Sequence, residues 1–248
     1  MCQHIRRAEK KLVSGIAQMT LYKDVFANAS IAFDLDGTLV DTAPDLVRAL
    51  NAVILPRGLQ PVLVSDVREM VGRGAKAMIR RAHDRQDVAL TETEVDALFP
   101  AFIESYHSNV AADSIPFPNV RETLDRLAEA GARLSVCTNK PSVLADLLLR
   151  ELELDGYFER VIGPERTRAK KPAADHVHDA LGAGHHRAAM VGDSAPDVDA
   201  AKAAGVPSII LSYGYSEKPA GSLGADRLIH EFSDVPETLA EIWRTVSD

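Results

Sequence analysis

Cysteine is nearly absent from this chain. Its 248 residues include two, Cys2 and Cys137. That is too few for a disulfide framework, and neither sits in metal-ligand spacing. Cys137 lies in an apolar run and reads as a small core residue. Such usage favours a reducing compartment, and a cytoplasmic location is expected. Positive charge is also scarce: 28 Lys and Arg stand against 36 Asp and Glu, a formal net charge of −8. A nucleic acid would find no general basic field, so no nucleic-acid partner is expected. An anionic ligand must be held in a local pocket instead. Long apolar runs are missing as well. None approaches the ~20 residues that span a bilayer, and no membrane association is expected. Residues 1–18 carry Arg6, Arg7, Lys10 and Lys11 without a continuous apolar stretch, unlike a secretory signal. Met19 would serve as a start, and residues 1–28 are read as an N-terminal extension outside the fold.

What is present is an ordinary globular mixture, 46% hydrophobic and 26% charged, long enough to bury a sizeable core. Short apolar runs read as strands at Ser30–Phe33, Arg133–Cys137, Arg160–Ile162, Ala188–Val191, Ser208–Leu211 and Arg227–Ile229. Helical patterns lie between most of them. Val120, Leu124 and Leu127 share a face ahead of Gly131. Leu144, Leu147 and Leu148 follow Ser142, an expected N-cap. A helix over 197–204 ends at Gly205, and Pro236 opens a last one with Leu239, Ile242, Trp243 and Val246 inward. Strands alternating with helices predict an α/β fold, a Rossmann-like parallel sheet covered on both faces.

One region breaks the alternation. From Pro44 to Ser114 the patterns are helical only. Leu46, Val47, Leu50, Val53 and Ile54 form one stripe. Val95, Leu98, Phe99, Phe102, Ile103 and Tyr106 form another, opened by a capping box of Thr91 and Glu94. Pro100 should kink or break that second helix. The Ile115–Pro118 stretch reads as a linker. The expected organisation is therefore an α/β core over 29–43 and 115–248, interrupted by a helical cap over 44–114.

Four motifs follow strands. Phe33-Asp34-Leu35-Asp36-Gly37-Thr38-Leu39 sets two carboxylates two residues apart, where open α/β sheets hold their ligands. Close carboxylates repel unless a cation or a shared proton relieves them. Thr138 and Asn139 offer a hydroxyl and an amide to phosphate oxygens, although Thr-Asn after a strand is commonly a plain turn. Lys170-Lys171-Pro172 supplies mobile positive charge, although paired lysines are normally solvated. Nothing in the spacing decides which lysine turns inward. Gly192-Asp193-Ser194-Ala195-Pro196-Asp197 places two further carboxylates one helical turn apart. Hard oxygen ligands of this kind suit Mg²⁺, and Asp197 equally suits a helix N-terminus.

In this order, from about Ser30 to Trp243, the four motifs resemble the haloacid dehalogenase superfamily, and within it the phosphoglycolate phosphatases. The resemblance implies a phosphatase that hydrolyses a small phosphorylated metabolite with Mg²⁺. It makes Asp34 the nucleophile that carries an aspartyl-phosphate, and Asp36 the acid and base. It implies that Thr138 and Asn139 hold the phosphoryl group, and that Lys171 neutralises charge. Mg²⁺ would be bound by Asp34, the main-chain carbonyl of Asp36 and Asp193, with Asp197 behind them. In the cap, Val71-Gly72-Arg73-Gly74-Ala75 carries the resemblance further. Arg73 or Lys76 is expected to meet a substrate carboxylate, the alternative being exposed cap charge. A sugar-phosphate or pyrophosphate phosphatase, or a phosphomutase, would use the same core. A phospho-accepting switch of another class would lack the cap and the second Asp. Asp36 argues against a dehalogenase, since a departing halide needs no proton.

Overall fold

The computed structural model of the protein describes residues 23–67 and 70–245. Six parallel strands form its sheet: β1 (Ser30–Phe33), β4 (Arg133–Cys137), β5 (Arg160–Ile162), β6 (Ala188–Gly192), β7 (Ser208–Leu211) and β8 (Arg227–Ile229). Their spatial order is β5-β4-β1-β6-β7-β8. The inner strands read as continuous apolar runs because both faces are covered. Every residue of β1, β6 and β7 is buried. The outermost strands β5 and β8 are shorter and begin on exposed arginines, Arg160 and Arg227.

The order reverses at β1, and this positions the site. β1 pairs with β4 on one side and β6 on the other, so that Phe33 lies level with both Val136 and Val191. Whatever follows these three residues emerges at one edge of the sheet, at a topological switch point. Asp34, Thr138 and Asp193 all follow there.

Helices α5 (Val120–Glu129), α6 (Ser142–Glu151), α7 (Ala174–Leu181), α8 (Ala195–Ala204) and α9 (Val235–Thr245) alternate with the strands. Between β1 and β4 stands the helical block: α1 (Ala43–Ile54), the single turn α2 (Val64–Val67), α3 (Ala75–Asp84) and α4 (Glu92–His107). Helix α4 packs against both α1 and α3. Its capping box is formed, with Glu94 N–H donating to Thr91 and the Glu94 carboxylate accepting from Thr91 N–H. Entry and exit of the block are tied by buried Asp45, whose carboxylate accepts from the main-chain and side-chain donors of Ser114 at 2.9 and 2.6 Å. None of the helices among the described residues is long and apolar enough to cross a membrane.

Several expectations are corrected. Pro100 does not break α4, which continues through it to His107. Pro100 and Asp96 are both exposed, so the carbonyl that loses its helical donor faces water. The stretch read as a linker contains β3 (Ile115–Pro116), paired antiparallel with β2 (Val40–Asp41). Two-residue strands carry no periodicity to read. Ser142 is the first helical residue of α6 rather than its cap, and Glu165 accepts from both its N–H and its hydroxyl. The boundary at residue 28 is too late: Phe26 is fully buried, edge-on to Trp243 at 5.5 Å. The readings on residues 1–22 and on Val246 lie outside the described residues.

Candidate active site

Asp34 continues β1 by one residue, its N–H donating to Val191 C=O at 2.9 Å. Its carboxylate is 2.9 Å from Lys171 Nζ. The same ammonium donates to Asp197 at 2.6 Å. Lys171 is therefore the lysine that turns inward, while Lys170 reaches outward to Arg73 C=O. Asp197 is fully used: its second oxygen accepts from Asp193 N–H, Ser194 N–H and the Ser194 hydroxyl. Asp193 is fixed from both sides, by the Thr38 hydroxyl at 2.8 Å and by Tyr215 N–H. Glycines permit this crowding. A Cβ on Gly192 would fall 2.4 Å from the Asp197 carboxyl carbon, and one on Gly214 would fall 2.2 Å from Asp193 Cβ.

Two buried carboxylates, Asp34 and Asp197, thus share one lysine, and a third, Asp193, lies beside them. Burial pushes Asp34 up to about 7, with Lys171 opposing and Asp197 adding to the shift. Burial likewise pushes Asp193 well above the usual carboxylate range, followed by the charges of Asp197 and Asp34. Burial pulls the Lys171 charge down, but Asp197 and Asp34 outweigh it and hold the lysine above its ordinary value. One oxygen from each of Asp34, Asp193 and Asp197 lies within 4.8 Å of the others. A surplus of negative charge offered entirely by hard oxygens fits a small divalent cation. With Asp197 engaged by donors, Asp34 and Asp193 are the carboxylates with capacity left for one.

A cavity opens over this cluster. Asp34, Asp36, Thr138, Asn139 and Lys140 line its sheet side, and Leu46, Met78, Phe102 and Tyr106 line its helical side. Asp36 accepts from Lys140 Nζ at 2.8 Å and from the Thr42 hydroxyl at 2.7 Å. Asn139 lines the cavity, but its amide NH₂ already donates to Gly72 C=O at 2.9 Å and Lys171 C=O at 3.2 Å. In this arrangement Asn139 stitches the loop before α3 to the lysine loop.

The structure does not bring Arg73 or Lys76 to the cavity. Arg73 is 56% exposed and pairs with Glu217 at 3.1 Å. Lys76 is 50% exposed, pairs with Asp96 at 2.6 Å and lies over the Phe99 ring. Sequence reasoning also missed participants. Tyr215 donates its N–H to Asp193 and its hydroxyl to Asp41, and Tyr213 donates to Thr38 C=O. The available signal was the Tyr-Gly-Tyr run directly after β7, at the strand edge that carries the other motifs. His176 was missed too. Its Nδ1 accepts from Lys171 N–H at 2.9 Å, which leaves Nε2–H to donate to Ile162 C=O, also at 2.9 Å.

Comparison with known proteins matches the sequence model of the family described as haloacid dehalogenase-like hydrolase to residues 31–211, most of the chain. The chain belongs to the haloacid dehalogenase-like hydrolases. Among relatives in this family, a phosphoglycolate phosphatase of Caulobacter vibrioides is 48% identical over 84% of this chain and 90% of its own length. One from Agrobacterium fabrum is 42% identical over 84% and 91%. Solved structures agree. A predicted phosphoglycolate phosphatase from Haemophilus somnus superposes with a TM-score of 0.75 at 29% identity, covering 86% of this chain and 98% of its own. CbbY from Rhodobacter sphaeroides in complex with phosphate gives 0.69 at 26%, covering 83% and 95%. The six-stranded sheet and its added helices are thus the haloacid dehalogenase-like fold, and the chain is an enzyme of hydrolase type.

Proposed function

We propose that this enzyme hydrolyses a small phosphomonoester, phosphoglycolate foremost, through a phosphoryl group carried on Asp34. The observation that carries the reading is the placing of Asp34. It ends the central strand, lines the cavity and lies 2.9 Å from a buried lysine, with a second carboxylate, Asp36, on the same cavity wall. The names of the Caulobacter and Agrobacterium relatives support the choice of phosphoglycolate.

The chemistry follows from the groups present. An Asp34 oxygen attacks phosphorus while the bond to the leaving oxygen breaks, and Asp36 gives that oxygen a proton. Asp36 then takes a proton from water as the water attacks the aspartyl-phosphate, releasing phosphate and restoring Asp34. Two easier steps replace one hard one. Proton transfer at the leaving oxygen is worth ~10²–10⁴-fold. A carboxylate attacking a phosphate dianion meets repulsion, and Lys171 offsets part of it. Mg²⁺, held by Asp34, Asp193 and the main-chain carbonyl of Asp36, would supply the remaining positive charge. Thr138 offers its hydroxyl to the phosphoryl oxygens, and Asn139 does so once its amide leaves Gly72. The helical block over 44–114 acts as a cap that excludes water and admits substrate by moving, as active-site lids do on μs–ms timescales.

The test is initial phosphate release from phosphoglycolate, several sugar phosphates and pyrophosphate, each with Mg²⁺ and with EDTA. Mg²⁺-dependent release with phosphoglycolate preferred is the expected result. Release from another member alone keeps the chemistry and replaces the substrate. A phosphoryl group that persists on Asp34 would point to a switch and sink the hydrolase reading.

A further inference from the structure

Lys140 has no part in the chemistry above, yet it is deeply built in. Its side chain is 3% exposed. The ammonium sits 2.8 and 3.2 Å from the two Asp36 oxygens and 4.3 Å above the centre of the Tyr106 ring, on α4. Burial works against the Lys140 charge, but Asp36 and Tyr106 outweigh it and hold the ammonium above its ordinary value. Among the described residues that line the cavity, it is the only cation. Lys171 does not line it, and Arg73 and Lys76 are paired elsewhere.

Its neighbour adds a second observation. Tyr106 also lines the cavity, is 1% exposed, and among the described residues its buried hydroxyl meets no polar group other than the Lys140 ammonium beside it. Native structures seldom leave such a donor without an acceptor, and a ligand is a common reason when they do. Burial pushes this phenol up to about 12, so it remains a donor at any working pH. Where the sheet side and the helical side meet, the cavity therefore presents a cation beside a hydroxyl donor. That is a receptor for a planar anion with two oxygens to place.

We infer that Lys140 and the Tyr106 hydroxyl form the subsite for a second acidic group of the substrate, a carboxylate carried close to the phosphate ester. This rests on the phosphatase reading of the same site and sharpens its substrate class. It also links recognition to chemistry. A carboxylate arriving at Lys140 competes with Asp36 for the ammonium. Asp36 has both oxygens on Lys140 and one on Thr42, so it can reach a leaving oxygen only when that pair loosens. A substrate lacking the carboxylate leaves the ion pair intact.

The experiment compares kcat/KM for phosphoglycolate and for 2-hydroxyethyl phosphate, its counterpart without the carboxylate, in the wild type, Lys140→Met and Tyr106→Phe. The wild type should prefer phosphoglycolate. Lys140→Met should reduce that preference by about 10–100-fold, the worth of a hydrogen bond to a charged group. Tyr106→Phe should reduce it by about tenfold, and because the ring stays in place it serves if Lys140→Met folds poorly. A wild-type preference for phosphoglycolate that survives both substitutions overturns the subsite while leaving the phosphatase reading standing. A wild type that prefers the ester without the carboxylate overturns the choice of substrate and the subsite with it.

Discussion

Across one cavity, two walls differ in how tightly their polar groups are held. On the sheet side, Asp193 and Asp197 accept from six donors between them: Thr38, Tyr215 and Lys171, the Asp193 N–H, and the Ser194 N–H and hydroxyl. On the helical side the wall is Leu46, Met78, Phe102 and Tyr106, with one hydroxyl among them and that one without an acceptor. The first wall is over-determined by main-chain donors at strand ends and by glycines that admit nothing larger. The second is fixed by packing, its side chains continuous with the apolar core that covers the sheet. Under the proposed function, the reacting groups stand on the rigid edge and the substrate's acidic group is met where the two sides join, at Lys140 and Tyr106.

The largest effects should come from the sheet wall, and they should split by sign on stability. Asp34→Asn removes the nucleophile and should lower turnover by on the order of 10⁶-fold. Stability should not fall. An acid raised to about 7 in the folded state is one whose charge the fold disfavours, so folding is penalised in full above pH 7 and relieved as pH drops toward 3.8. Asparagine removes that penalty, and the Tm in EDTA at pH 8 should hold or rise. Lys171→Met should lose turnover as severely but unfold more easily, by about 3–5 kcal/mol, because Asp34 and Asp197 are left buried without a counter-charge. If both variants shift Tm in the same direction, the charge surplus argued here is wrong.

Asp36 sits at the seam between the walls, bonded to Thr42 and Lys140 rather than locked by main-chain donors. Asp36→Asn should slow hydrolysis by ~10²–10⁴-fold, and Tm should fall because buried Lys140 loses its counter-charge. A rate near that of the wild type would remove it from proton transfer. Using an activated ester with a good leaving group should shrink the defect in the first step, which a merely structural role would not do.

A subtler effect lies behind the sheet wall. His176 is held neutral, lowered to about 4 by burial first and by the Lys171 charge second. The unfolded chain takes up this proton below its ordinary value of 6.5, while the folded chain does not. Stability contributed by this group is therefore complete above 6.5 and is lost as pH falls toward 4. Denaturant titrations at two pH values should show a loss of about 1.4 kcal/mol from this residue one pH unit below 6.5. His176→Gln, which keeps an acceptor for Lys171 N–H, should be less stable at pH 8 but flatter with pH. An equal slope would mean that the imidazole is free to protonate in the fold.

Legibility in the sequence followed the same division. The inner sheet strands were readable because a parallel strand buried on both faces leaves an unbroken apolar run, the outer two as short apolar runs between helices, and the reversal at β1 turns four separate motifs into one edge. Asp34, Lys171, Asp193 and Asp197 meet there; the spacing left Lys170 and Lys171 open, and the contacts agree with the resemblance in turning Lys171 inward. The helical wall was readable as helices but not as a surface. Tyr106 counted as one more member of an apolar stripe, and Lys140, directly after Thr138 and Asn139, was given no role. Their contact joins α4 to the end of β4, and no local pattern encodes it. Pro100 and the two-residue ladder of β2 and β3 failed for related reasons: an exposed carbonyl tolerates the first, and the second is too short to have a period.

The smallest effect tests whether selectivity belongs to the join of the two walls or to the loop in front of it. Arg73 lies in the glycine-flanked loop before α3, where a cap cation suits a substrate carboxylate by type. In the structure it is half exposed and meets Glu217, which also pairs with Arg81. Exposed pairs of this kind are worth ~0–1 kcal/mol. Arg73→Ala should therefore change kcat/KM for phosphoglycolate by less than about fivefold. It should change the value for 2-hydroxyethyl phosphate equally, because what is lost is a fastening between the loop and residue 217 and not a contact with substrate. A selective loss on the acidic substrate would mean that Arg73 leaves Glu217 and turns inward when substrate binds. The carboxylate would then be shared between loop and helix, and the division drawn between the two walls would have to include the loop that closes over them.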